Sequence, residues 1–199
     1  MLLTGMCLLY IMTGSTQDNF FFINNKLGIS NPMDEYYTYG YASGGLALGL
    51  EAGYMFEVKK TTMGPAIAIG YFQNALDIQQ AWDNDGLDIK NMEGPYTNVF
   101  IGTGYMANWH LSKVFALTGH VMLGMLNSTI PAMEIWTDDY IYSYMAYTSN
   151  AFTIKPGLGL RLFLGRVIVL SAEVELLYAE QEFGSVGVLN VNSGFGVRF

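Results

Sequence analysis

Apolar and polar side chains alternate along the last dozen residues, 188–199. Leu189, Val191, Phe195, Val197 and Phe199 fall on one face of an extended strand, and Asn190, Asn192, Gly194, Gly196 and Arg198 fall on the other. Seven earlier stretches carry the same period of two: 20–30, 44–58, 63–74, 96–109, 114–126, 151–164 and 167–179. In 44–58 the row Leu46, Leu48, Leu50, Ala52, Tyr54 and Phe56 alternates with Ala47, Gly49, Glu51, Gly53, Met55 and Glu57. The stretch 20–30 is the least regular, because Asn25 interrupts the row Phe21, Ile23, Leu27 and Ile29. Pro65 is expected at a strand entrance, and Pro156 is expected to need a bulge near a rim.

The connections alternate in length. Segments 31–43, 75–95 and 127–150 are long, whereas 59–62, 110–113 and 165–166 are short; 180–187 is intermediate. Eight such strands predict an all-β chain: an antiparallel up-and-down barrel with both chain ends on the side of the short turns.

Phase decides what surrounds the barrel. The charged members of the strands share a face with glycines, and the bulky aliphatic residues share the opposite one. A soluble eight-stranded barrel, such as a lipocalin, would bury the aliphatic face and expose the charges. Here the pattern is inverted, so the greasy face needs lipid and the strands are expected to span a membrane. Composition agrees: 51% of residues are hydrophobic and 13% charged, yet no apolar run long enough for a spanning helix follows the N-terminus. Tyr54, Tyr71, Tyr96, Trp109 and Tyr178 lie near strand ends, where aromatic girdles sit at membrane interfaces. A net charge of −8 disfavours binding to nucleic acid. The single cysteine, Cys7, excludes an intramolecular disulfide. Residues 1–17 have the length and greasiness of a signal peptide or its remnant, without a basic n-region; the barrel is expected over 18–199.

The inward phase collects Lys26, Glu51, Glu57, His120, Lys155, Arg161, Glu173, Glu175 and Arg198. Unpaired charge is costly in a narrow interior, which predicts a connected ion-pair network that stiffens the barrel and blocks a continuous pore. Glu173 and Glu175 are its expected centre, with Arg161 and Arg198 on the flanking strands as their partners. A narrow passive porin is the alternative. No catalytic residue is assigned. His110 and Ser112 place a base and a hydroxyl close together but lack an acidic orienter, and His120 stands alone on its face. No cofactor is expected except a weak calcium candidate at Asp83, Asp85 and Asp88, which lacks the distal glutamate of a full calcium loop. The long connections hold Tyr36, Tyr37, Tyr39, Tyr41, Tyr140, Tyr142, Tyr144 and Tyr147, suited to ligand recognition or to an interfacial girdle. Segment 140–147 is expected to extend the strands beyond the membrane.

With its closing Ser193-Gly-Phe-Gly-Val-Arg-Phe199, the chain resembles the small eight-stranded OmpA/OmpX-like outer-membrane barrels of Gram-negative bacteria, with a weaker likeness to Bacteroidetes members. The resemblance covers residues 20–199. It implies that Phe195, Val197 and Phe199 form the signal read by the outer-membrane assembly machinery. It also implies a monomer surrounded by outer-membrane lipid and lipopolysaccharide, with both termini periplasmic and an extracellular ligand possible for its loops. Members of the group serve as structural barrels, adhesion factors or lipid A-modifying enzymes, so the resemblance leaves a lipid A-modifying enzyme as a further alternative.

Overall fold

The computed structural model describes residues 19–33, 42–76, 88–90, 94–137, 140–181 and 184–199. The segment read as a signal peptide, 1–17, lies outside them. Eleven strands follow in order: β1 (Phe20–Pro32), β2 (Ala42–Val58), β3 (Thr61–Leu76), β4 (Asp88–Lys90), β5 (Tyr96–His110), β6 (Phe115–Ile130), β7 (Met133–Trp136), β8 (Ile141–Tyr144), β9 (Tyr147–Leu164), β10 (Ile168–Gln181) and β11 (Gly184–Arg198).

Eight of them close a barrel in the order β1-β11-β10-β9-β6-β5-β3-β2, every pair antiparallel. The seam between first and last strands runs from Phe22↔Arg198 to Pro32↔Val188. Reciprocal bonds between the backbones of Phe21 and Phe199, 2.9 and 3.0 Å, finish it. One end of the barrel carries the start of β1, the end of β11 and the turns after β2, β5 and β9; the other carries the connections after β1, β3 and β6 and the short one after β10. We call them the turn end and the loop end.

Alternation in the sequence becomes alternation in exposure. Ile67, Ile101 and Leu158 are each at least 60% exposed on the outer wall, while Phe100, Met106 and Arg161 are at most 1% exposed inside. A soluble barrel would show the reverse. The interior is layered. Phe20, Phe22, Met55, Phe163 and Val169 fill it toward the turn end, and Phe72, Phe100, Leu126, Leu177 and Val188 toward the loop end. Lys26, Glu51, Lys155, Arg161, Glu173 and Glu175 lie between these two apolar layers.

Four expectations need correcting. The connection 180–187 is not intermediate: β10 and β11 stay paired as far as Gln181↔Gly184. Its glycines and serine read as a turn, but the backbone ladder runs through them. Pro156 causes no bulge. Its missing N–H removes the pairs Lys155–Leu177 and Pro156–Leu176, and the register on either side, Glu175↔Gly157 and Tyr178↔Ile154, is unchanged. Pro65 lies within β3, not at its entrance, and leaves the same two-residue gap, with pairing resuming between Ala66↔Gly53 and Met63↔Phe56. Finally, 140–147 does not simply prolong the barrel. Its first part forms β8, which joins β7 and β4 in a separate three-stranded sheet.

Candidate functional site

The interior cluster follows from which positions β1, β2, β9 and β10 turn inward. Lys26 lies opposite Gly49, Glu175 opposite Gly157, and Glu173 opposite Gly159. Each long ionised side chain thus faces a residue without one. A Cβ on Gly157 would collide with the His120 ring, and one on Gly159 with the Glu173 side chain and the backbone of β10. The glycines make the room that the charges occupy.

The Lys26 ammonium sits at the centre, 2.5 Å from Glu51 Oε1, 2.5 Å from Glu173 Oε2 and 2.7 Å from Glu175 Oε1. Arg161 Nη2 bridges Glu51 Oε2 and Glu173 Oε1, both at 3.2 Å. Lys155 Nζ reaches Glu175 Oε1 at 3.2 Å, and Asn192 donates to Glu175 Oε2 at 2.9 Å. Three carboxylates therefore face three permanent cations, all at most 5% exposed. Aromatic rings flank the set. The Arg161 guanidinium lies 4.9 Å from the Phe22 ring and the Lys155 ammonium 5.1 Å from Phe100. Each offers a desolvated cation a second favourable face.

His120 is buried beside this network. Its Nε2 lies 3.2 Å from Glu175 Oε1 without hydrogen-bond alignment, and neither ring nitrogen has a hydrogen-bond partner. Ligand atoms of Glu51, His120, Glu173 and Glu175 converge within 4.8 Å of one another, a spacing that would suit a cation. The Lys26 ammonium already holds that position, tethered to β1.

Two members of the predicted inward set lie elsewhere. Glu57 is exposed at the turn end, near the close of β2. Arg198 is not a partner of Glu173 or Glu175. It ends β11, whereas Glu173 is in register with Asn192, six positions nearer the loop end. Arg198 Nη2 instead donates to Gly165 O at 2.7 Å, and its guanidinium lies 4.6 Å from Phe163 and 5.3 Å from Phe20. Arg198 therefore ties the last strand to the turn between β9 and β10 and helps close the turn end. Asn192 and Asn24, which donates to Ser171 Oγ at 3.0 Å, are network members that charge alone did not point to. Their inward phase was the available signal.

The second candidate is the β4-β7-β8 sheet at the loop end. Tyr140, Tyr142 and Tyr144 are exposed, the first two rings 6.3 Å apart, while Tyr147 is half-buried as β9 begins. Trp136, Ile141 and Met145 join them on the surface, and Met145 is 90% exposed. These three were missed by attending to tyrosines alone. The paired alternating tetrads Met133–Trp136 and Ile141–Tyr144 were the hairpin signal. Of the calcium candidate, Asp83 and Asp85 fall outside the described residues, and Asp88 pairs with Trp136 on β4. Tyr36, Tyr37, Tyr39 and Tyr41 also fall outside them.

At the turn end Ser112 Oγ accepts hydrogen bonds from the amides of Val114 and Phe115 at 3.3 and 3.0 Å, while His110 Nε2 contacts Thr62 Oγ1 at 3.3 Å. The serine organises a turn and does not face the histidine as a nucleophile would. Phe195 and Phe199 project outward at 56% and 72% exposure, and Val197 shares their face half-buried. Phe199 stacks on Phe21 with ring centroids 6.1 Å apart.

No protein-family model matches the chain, and no curated protein matches its sequence. Solved structures match its fold. Neisserial surface protein A superposes with a TM-score of 0.61 at 12% identity, over 90% of this chain and 97% of that one. OprG from Pseudomonas aeruginosa gives 0.55 at 12% identity, over 93% and 98%. Ail, the attachment invasion locus protein of Yersinia pestis, gives 0.51 at 13% identity, over 92% and 100%. Ail has also been solved in complex with the heparin analogue sucrose octasulfate. At these identities the likeness is one of fold: the chain is an eight-stranded transmembrane β-barrel of the outer-membrane type.

Proposed function

We propose that this chain is a sealed outer-membrane barrel that recognises ligands or surfaces outside the cell through the aromatic sheet at its loop end. The exposed set Trp136, Tyr140, Ile141, Tyr142, Tyr144 and Met145 carries this reading. Rigid aromatic side chains on a paired β-hairpin give large contact area at little cost in conformational freedom. The Ail complex supports it only as an example of a similar fold engaging a soluble polyanion. In this reading the turn end is periplasmic, and the outward row Phe195, Val197 and Phe199 serves as the mark for the assembly machinery. Lipopolysaccharide and phospholipid cover the outer wall.

The described interior supports a sealed barrel. The balanced ion cluster between two apolar layers leaves a void of about 10 Å³ beside Lys26, Lys155 and Glu175, space for about one water molecule. The recognition reading is tested with bacteria displaying the protein on arrays of glycans and matrix proteins. Replacing Tyr140, Tyr142 and Tyr144 together by alanine, or deleting residues 131–146, is expected to leave the barrel folded, as judged by its heat-dependent gel mobility. Both changes should abolish the binding that the unaltered protein confers. Undiminished binding by both variants would refute the proposal.

A further inference from the structure

The wall that faces lipid has a polar spot within its span. Asn25 points outward from β1, between Leu50 on β2 and Phe195 on β11. It is exposed, and among the described residues its side chain makes no hydrogen bond. Other outward polar groups around the wall are provided for. Ser193 donates to Leu27 O at 3.2 Å and Thr103 to Ala66 O at 3.1 Å, while Asn127 donates to Asn150 at 2.9 Å. Asn25 borders a depression of about 570 Å³ walled by Leu27, Leu48, Ser193 and Phe195.

Depth makes the unpaired amide significant. Asn25 is four residues along a tilted strand from Phe21, which stacks on the terminal Phe199 and packs against the girdle residue Tyr54; that places it roughly 9 Å deeper in the wall. A hydrocarbon core is about 30 Å thick, so the amide lies well inside it. Lipid offers only methylene groups there, and an unsatisfied amide is costly in such surroundings. Another protein wall at the same depth can satisfy it.

We infer that the protein forms a two-fold dimer through this wall, with Asn25 of one copy hydrogen-bonded to Asn25 of the other. A two-fold axis along the membrane normal brings each residue on it against itself at equal depth. A carboxamide carries both donor and acceptor, so it is complementary to its own copy. The sequence suggests a monomer, but a monomer leaves this group without a partner.

The test uses the full chain refolded into phospholipid vesicles, with Cys7→Ser and a single dye-bearing cysteine at Ser143 in the exposed β8. Energy transfer between donor- and acceptor-labelled copies should exceed the random-proximity level and follow a monomer–dimer equilibrium as the lipid is diluted. Asn25→Leu, which removes no interior contact, should weaken association about tenfold, the scale of one interhelical amide contact. Ile69→Leu on the distant β3 should leave it unchanged. Under oxidation, Asn25→Cys in the Cys7→Ser background should form a disulfide-linked dimer. Transfer at the random level at every dilution would overturn the inference. So would association that persists undiminished in Asn25→Leu, or a failure of Asn25→Cys to form a disulfide-linked dimer under oxidation.

Discussion

Lys26 shows how one residue organises an interior. Its ammonium touches carboxylates from β2 and β10 at once, and no other cation of the cluster reaches all three glutamates. Removing it leaves three carboxylates facing two cations away from water. Lys26→Met should therefore lower unfolding stability by about 3–5 kcal/mol, the scale for breaking one side of a buried ion pair. The measurement is the shift in the denaturant midpoint of the refolded protein in micelles. Combining it with Glu175→Gln restores the balance of charge, and most of the loss should be recovered. A double variant as unstable as Lys26→Met would show that charge balance is not what the cluster provides. At this scale the sequence was readable in part. Inward phase identified Lys26, Glu51, Lys155, Arg161, Glu173 and Glu175, because a period of two fixes facing without any knowledge of distance. It did not fix depth along the barrel. Arg198 and Glu57 share the inward phase with the others but lie toward the turn end, so their predicted pairing with the cluster failed.

Among the elements, the two prolines are the instructive case. Pro65 and Pro156 each sit inside a strand whose neighbours hold register on both sides. Each proline costs one ladder hydrogen bond, and that local gap is its whole geometric effect. Pro156→Val should return an N–H to face the carbonyl of Leu176 and keep an outward apolar side chain. The expected gain is about 0.5–1.5 kcal/mol, the net worth of one hydrogen bond. Slower hydrogen exchange at Leu177 and Tyr178 would accompany it, whereas unchanged exchange and stability would show that the gap costs nothing. Strand existence and facing were legible because a lipid-exposed wall punishes any slip by one residue. Strand ends were less so. Segment 180–187 reads as a turn by composition, yet Ser185 and Val186 remain in the ladder, because hydrogen bonding to a neighbour outweighs the weak preference of Gly and Ser for turns. The β4-β7-β8 sheet was out of reach for another reason. It unites pieces of two different connections, and local alternation cannot reveal which distant segments will meet.

For the molecule as a whole, a neutral ionic layer between two apolar ones forms a barrier on three counts. Ions meet greasy constrictions at both ends, and the fixed charges between them are already neutralised. In planar bilayers the purified protein should show no steady conductance of a single size. Reproducible openings of uniform amplitude would instead support the narrow-porin alternative. In the proposed reading the outer wall, the sealed lumen and the aromatic sheet divide the work, the first two anchoring what the third displays.

The first and last barrel strands meet at a seam, and the ionic layer straddles it. Lys26 belongs to β1, while two of its three counter-charges belong to β10, reached only when β11 has docked between them. A sheet curled but not yet joined would hold a bare ammonium at one edge and two bare carboxylates near the other. Such a half-made cylinder is penalised from both sides. Assembly and rupture are thereby driven toward a single concerted step, and the cluster acts as a clasp that fastens when the ring is whole.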